Sequence, residues 1–300
     1  MSKVELCAPA KVNLALHVTG LRSDGYHLLD SLVMFSDVGD RLRIEVAETA
    51  SFSVTGRFSQ DVPMSSENSI LRVVELLWKG PPLAITLEKN LPVASGIGGG
   101  SADAAACYRA LQALRGDLAP EASNIEIEHA PALLHLGADM PMCVRSRTAH
   151  VSGVGEDVNE RNDLPFLHVV FVNPGVAVST PEVFGALAVK ENTPMSKLQP
   201  TPTEQGFLIW LAAQRNDLEG PAKLICPSVE DALAGLQGSA GCQLARMSGS
   251  GATCFGIFAS RSDAQAAAND LQHRYDRWWI SPGELNGPTG AEPQLIRSTT

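Results

Sequence analysis

Gly96, Gly98, Gly99 and Gly100 crowd together just ahead of Ser101 and Asp103. Glycine carries no Cβ and tolerates positive φ, so such a run lets several backbone N–H groups converge on one anion. A helix beginning at the end of the run adds its own unpaired donors and the positive end of its dipole. The chemistry on offer is phosphate binding by backbone. Ser101 and Asp103 fit the first turn of that helix, as caps or as oxygens reaching a phosphate-bound Mg²⁺.

The flanking residues supply the elements that such a loop needs. LAITLEKN (83–90) is short, apolar and partly β-branched, as a strand requires, and 102–114 has the Ala/Leu composition of a helix. Two familiar phosphate motifs are excluded by spacing. No Lys follows Gly100 as a GxxxxGK[ST] loop demands, and Ser101 stands where the third glycine of GxGxxG would fall. The bland alternative is a strand-to-helix turn that binds nothing. It is disfavoured because three consecutive glycines before a helix are costly without a close backbone approach.

Other residues could do chemistry, each with a plainer reading beside it. In 10–18, Ala10, Val12, Leu14, Leu16 and Val18 alternate with Lys11, Asn13 and His17, which predicts a half-buried strand with Lys11 and Asn13 on one face. A solvated face is the plainer reading. Tyr26 and His27 follow the Asp24-Gly25 turn, either as local packing or as a platform for a ligand's base. Asp139, before Pro141, stands just past an expected amphipathic helix over 121–136, where the dipole disfavours negative charge, so a turn-forming Asp is the plainer reading. Ser248, Gly249, Ser250 and Gly251 make a tight turn able to lie against a phosphate or sugar, or a simple hairpin.

With 300 residues the chain exceeds the usual single core, and a polar run at 159–165 predicts two domains, 1–160 and 161–300. The first is expected to hold strands over 10–18, 41–46, 51–55 and 148–155 in an antiparallel sheet, with a helix capped by Asn68 running to Trp78. The second reads strand 167–172, helix 180–188, strand 243–247, strand 253–259, helix 261–272 and strand 278–280, with further helices inserted. That is the split βαβ, ferredoxin-like order. An insert loop is expected over 190–203 and a flexible tail from about 283. A net charge of −10 argues against a nucleic-acid or anionic membrane partner, so phosphate must be bound locally. Six scattered cysteines without a CxxC pair, and no long apolar run, fit a reducing cytoplasm.

PVASGIGGGSADAA resembles the ATP-binding signature of the GHMP kinase superfamily (galactokinase, homoserine kinase, mevalonate kinase, phosphomevalonate kinase). PAKVNLALHVTGLRSDGYHLLDSL is similar to the branch that phosphorylates a cytidine-diphosphate-linked methylerythritol in the non-mevalonate isoprenoid pathway. The likeness extends to about Phe258, through GAD-x-P at 137–141 and the turn at 247–252. It implies the two-domain α+β fold of that superfamily: an N-terminal ribosomal-protein-S5-like domain, a C-terminal ferredoxin-like domain and an active site in the cleft between them.

The implied reaction moves the ATP γ-phosphoryl group to the 2-hydroxyl of 4-(cytidine 5′-diphospho)-2-C-methyl-D-erythritol. ATP and Mg²⁺ would be required. In the roles the resemblance implies, Asp139 is the base and Lys11 the charge that orients it. Pro92, Val93, Ala94, Ser95, Gly96, Ile97, Gly98, Gly99, Gly100, Ser101 and Ala102 hold ATP. Asn13, Tyr26, His27, Thr180, Phe184, Ser248 and Gly249 hold the acceptor, with the cytosine between Tyr26 and Phe184. Two positions depart from the family pattern. Ala94-Ser95 precedes the first motif glycine, and Ala102 replaces a second serine, which leaves the metal ligands open with Ser101 as a candidate. The alternatives are a sister kinase acting on homoserine, mevalonate or a sugar, an inactive ligand-binding relative, and a dinucleotide-dependent oxidoreductase.

Overall fold

The computed structural model describes residues 2–118, 136–137 and 139–297. Two long strands, β1 (Ser2–Leu21) and β2 (His27–Val46), form an antiparallel hairpin that runs the length of the molecule. Register shifts after Pro9, Asn13 and Val18 let β1 bend while it stays paired. The expected half-buried strand is in fact buried on both faces from 8 to 18. Ala10, Val12 and Leu14 pack with Phe171, Phe207 and Phe255, so a second layer covers the face opposite Lys11 and Asn13. Residues 30–36 of β2 are likewise buried throughout. A strand covered on both faces shows no alternation, which is why 30–36 carries no strand signal of its own.

The far edge of β2 serves two partners. Its C-terminal part pairs with β4 (Leu83–Glu88), itself parallel to β3 (Ser51–Thr55), and its N-terminal part pairs with β5 (Ala149–Gly153), followed by β6 (Asp157–Glu160). The antiparallel sheet expected of the first half therefore has one parallel pair. Helix α1 (Ser69–Leu77) starts where expected, its Asn68 cap accepting from the Ile70 N–H at 2.9 Å. Helix α2 (Gly99–Leu118) begins inside the glycine run and buries Ala104, Ala105, Cys107, Ala110, Leu111 and Leu114 against the sheet. The expected helix over 121–136 lies outside the described residues, save its last position. A short helix, α3 (Met140–Arg145), follows.

The second half has β7 (Leu167–Asn173), β8 (Cys242–Met247), β9 (Cys254–Phe258) and β10 (Trp279–Leu285) in the antiparallel order β10-β7-β9-β8. This is the split βαβ arrangement. Helix α4 (Thr180–Gly185) is three residues shorter than the 180–188 expected. Helices α5 (Glu204–Ala212), α6 (Glu219–Ile225), α7 (Ser228–Gln237) and α8 (Arg261–Arg274) complete it. The expectation of a loose tail from 283 is corrected. Strand β10 runs on to Leu285, and β11 (Gln294–Arg297) pairs with Ser2–Glu5 of β1, so backbone hydrogen bonds tie it down.

Candidate active site

The glycine loop enters the helix in two steps. Gly96 and Gly98 take positive φ (78° and 67°), while Gly99 and Gly100 already belong to the first turn of α2. Only two of the four glycines therefore use the conformational freedom expected of all. The first helical bond joins the Ala102 N–H to the Gly98 carbonyl at 2.8 Å, leaving the amides of Gly99, Gly100 and Ser101 at the open end. A Cβ on Gly96 would lie 2.7 Å from the Gly251 nitrogen, and one on Gly98 3.2 Å from the Lys11 Cβ. Both glycines are required by close approach. A Cβ on Gly100 would meet nothing within 4 Å, so that position opens onto free space.

Asp103 does not face this space. Its Oδ2 accepts from the Lys89 ammonium at 2.6 Å, and Lys89 also donates to Asp40 at 2.5 Å, all three side chains being buried. Asp40 takes the Asn90 and Leu91 amides as well. Burial pushes the Asp103 carboxyl up to about 8 against the pull of Lys89. The expectation that Asp103 caps the helix or reaches a metal is thus corrected: it fastens the start of α2 to the end of β4.

Lys11 and Asp139 meet directly. The Lys11 Nζ donates to Asp139 Oδ2 at 3.0 Å, and the Lys11 backbone N–H donates to the Ile97 carbonyl at 2.9 Å, so one residue touches both the pair and the loop. Asp139 is the N-cap residue of α3 and makes no capping bond with its side chain. Asp139 therefore stands at a helix N-terminus, where a carboxylate is favoured, whereas the helix expected to precede it lies outside the described residues. Arg109 holds the other end of α3 through the Cys143 and Val144 carbonyls.

On the opposite wall, Asn13 donates from Nδ2 to Ser31 Oγ at 2.8 Å, while its Oδ1 is buried with no partner among the described residues. His27 packs in a tilted contact on Phe184, with ring centroids 4.8 Å apart and an interplanar angle of 31°. Its Nε2 is likewise buried with no partner among the described residues. Burial, aided by the charge on Lys190, lowers the His27 pKa, so the ring is neutral at pH 7. Tyr26 is 62% exposed on the cleft wall, and the ring in direct contact with Phe184 is that of His27. Thr180 Oγ1 and Ser250 Oγ are 2.7 Å apart.

A cleft of about 1040 Å³ gathers Lys11, Asn13, Tyr26, His27, Ala94, Ser95, Gly96, Gly98, Gly99, Gly100, Ser101, Asp139, Thr180, Phe184 and Gly249. Pro92, Val93, Ile97, Ala102 and Ser248 are not on its wall. Ile97 and Ala102 are core residues, and Ser248 is a buried link that accepts from the Asn13 N–H and donates to the Gly96 carbonyl. Ser31, Ser69 and Val151 line the cleft without having been singled out. Ser69 and Val151 carry no motif, and their neighbourhood is set by the sheet and by α1.

Models of the GHMP kinases N terminal domain and of the GHMP kinases C terminal match residues 68–147 and 208–277. The 4-diphosphocytidyl-2-C-methyl-D-erythritol kinase of Roseobacter denitrificans is 50% identical over 283 residues, 94% of this chain and 93% of its own. The chain belongs to this family of GHMP kinases. The enzyme of that name from Cereibacter sphaeroides (strain ATCC 17025) is 49% identical over 94% of this kinase and 99% of its own length. A crystal structure of 4-(cytidine 5′-diphospho)-2C-methyl-D-erythritol kinase superposes with a TM-score of 0.74 at 32% identity, covering 95% of this kinase and 100% of that chain. The homoserine kinase of Cytophaga hutchinsonii, at 18% identity and a TM-score of 0.66, shares the fold.

Proposed function

We propose that this GHMP kinase transfers the γ-phosphoryl group of ATP to the 2-hydroxyl of 4-(cytidine 5′-diphospho)-2-C-methyl-D-erythritol, in non-mevalonate isoprenoid precursor synthesis. Family membership supports the reaction. The observation that carries the residue roles is the 3.0 Å contact of Lys11 with Asp139, made where the glycine loop and Asn13 face one another. Phosphoryl transfer asks a protein mainly for in-line positioning, neutralised charge and a group that takes the hydroxyl proton. In this reading Asp139 accepts the proton of the 2-hydroxyl as its oxygen bonds to the γ-phosphorus and the bond to the bridging oxygen breaks, leaving ADP. Lys11 holds Asp139 and the incoming oxygen and offsets the charge that develops.

The amides of Gly99, Gly100 and Ser101 hold phosphate oxygens at the start of α2. Mg²⁺ carried in with ATP would supply further neutralisation. Ser101 at the helix start fits it, whereas Asp103 is taken by Lys89. Among the described residues no group of three His, Cys, Asp or Glu is arranged to hold a metal. The cytosine lies against Phe184 and His27, whose neutral ring offers one donor and one acceptor to the base edge, and Asn13 Oδ1 takes a hydroxyl of the acceptor. The reading includes a division of the chain near residue 160 and a cytoplasmic location. No helix among the described residues is long and apolar enough to cross a membrane.

ADP release measured with the cytidine-diphosphate methylerythritol, mevalonate and homoserine in parallel tests the proposal. Turnover is expected with the first alone. Faster turnover of either other alcohol would move the assignment to a sister kinase.

A further inference from the structure

The turn at 247–252 touches both halves of the reaction. Ser248 Oγ donates to the Gly96 carbonyl at 3.0 Å and accepts from the Asn13 N–H at 3.1 Å. A Cβ on Gly249 would lie 2.7 Å from the Gly96 oxygen. Backbone therefore meets backbone, and any shift of the turn moves the glycine loop relative to the strand bearing Lys11 and Asn13. What fixes the turn from behind is a side chain outside the cleft.

Asn216 is buried (7% exposed) and donates both amide hydrogens to the turn, to the Met247 and Gly249 carbonyls, each at 2.8 Å. Its Oδ1 accepts the Leu218 N–H at 3.0 Å. Its backbone is spliced to β1: the Leu16 N–H donates to the Arg215 carbonyl at 2.9 Å, and the Asp217 N–H to the Leu16 carbonyl at 2.8 Å. The neighbouring Arg246 guanidinium locks the same segment, reaching the Leu14, Leu211 and Gln214 carbonyls at 2.7, 3.0 and 2.8 Å. Asn216 thus ties the turn to the strand that carries the acceptor-side residues, with every donor committed.

We infer that Asn216 is a positioning residue of phosphoryl transfer, setting through the Met247–Gly249 carbonyls the distance between the phosphate loop and the acceptor strand. The inference rests on the kinase reading above. A group held about 1 Å out of place costs on the order of 10²-fold in rate, while ground-state binding of each substrate to its own wall survives. Asn216→Asp keeps the shape, removes both donors and sets a carboxylate against two carbonyls. Asn216→Ser keeps a single, shorter donor.

The test measures kcat per folded enzyme, KM for both substrates and ATP Kd by direct titration, in wild type and both variants. Expected are falls in kcat of roughly 10²-fold for Asn216→Asp and roughly tenfold for Asn216→Ser, with both KM values and the ATP Kd within about threefold. A merely structural residue would lower the melting temperature and leave turnover per folded molecule unchanged, which overturns the inference. So would a KM or ATP Kd that rises about tenfold alongside the fall in kcat. If Asn216→Asp does not fold, Asn216→Ser decides alone by the same criteria. A wild-type enzyme that fails to turn over sinks the kinase reading itself, a result distinct from active variants.

Discussion

The two walls of the cleft are built on opposite plans. On the nucleotide wall the loop is fastened at several points: Ile97 to Lys11, Ser95 to Thr253, Gly96 to Ser248, and the start of α2 to Lys89 and Asp40, although Asp103 Oδ1 behind it is buried with no partner among the described residues. On the acceptor wall two buried polar atoms, Asn13 Oδ1 and His27 Nε2, have no partner among the described residues, and Tyr26 stands largely in solvent. Buried polar atoms are nearly always hydrogen-bonded, and these two, unlike Asp103 Oδ1 and His168 Nδ1, belong to residues that line the cleft, where a ligand would complete them. On the proposed site assignment, the difference teaches that the phosphates would meet a surface set in advance, whereas selectivity for the acceptor would be exercised by groups that are satisfied only when it binds. Such groups reject an analogue lacking the matching polar atoms more strongly than an apolar pocket could.

The largest expected effect lies where the walls meet. Asp139→Asn should lower kcat by roughly 10²- to 10⁴-fold with ATP Kd little changed, and Lys11→Met should fall in the same range. Turnover near the wild-type rate in both would break the role assignment. On the nucleotide wall, Gly98→Val forces a branched residue into positive φ against Lys11, and ATP Kd should rise at least about tenfold. Gly100→Ala sharpens the point. A helical glycine replaced by alanine gains about 0.5–1 kcal/mol of stability, yet the methyl projects into the open end of α2, so melting temperature should rise while ATP affinity falls. Both quantities rising together would show that no phosphate approaches there.

On the acceptor wall the effects are smaller. Phe184→Ala should raise the acceptor KM by roughly ten- to a hundredfold, the worth of stacking one base, with ATP Kd unchanged. Tyr26→Ala, being exposed, should move it less. The pH dependence follows from His27. Its folded pKa lies below the ordinary 6.5, so the ring is neutral at pH 7 and gains its proton only as pH falls below that value. Protonation turns the ring's acceptor nitrogen into a donor, so acceptor KM should climb on acidification while ATP KM stays flat, and His27→Gln should flatten the climb.

Much of this was legible in the sequence because glycine and alternation leave strong marks. The loop, the Asn68 cap and the split βαβ order could each be placed from residue type alone. Residues 30–36 could not, since burial on both faces erases the period of two. The place of Asp139 at the head of α3 was hidden for a related reason: α3 has only six residues and a proline in its first turn, too little to show a helical period. Asp103 looked like a free first-turn acid because its partners, Asp40 and Lys89, are brought to it by the fold. That His27 touches Phe184 depends on which of two adjacent side chains turns inward, and adjacency cannot say that. Asn216 left no trace because its task is to hold two carbonyls, and the sequence does not show where carbonyls point.

The most direct test of the central claim is the ³¹P NMR spectrum of the product formed from ATP and the cytidine-diphosphate methylerythritol. The 2-carbon of the acceptor bears no hydrogen, so a phosphomonoester on its oxygen has no three-bond coupling to a carbinol proton. A new singlet, absent with Asp139→Asn, is the expected result. A phosphomonoester resonance split by carbinol protons, from transfer to a different hydroxyl, or no phosphorylated acceptor at all, would contradict the account.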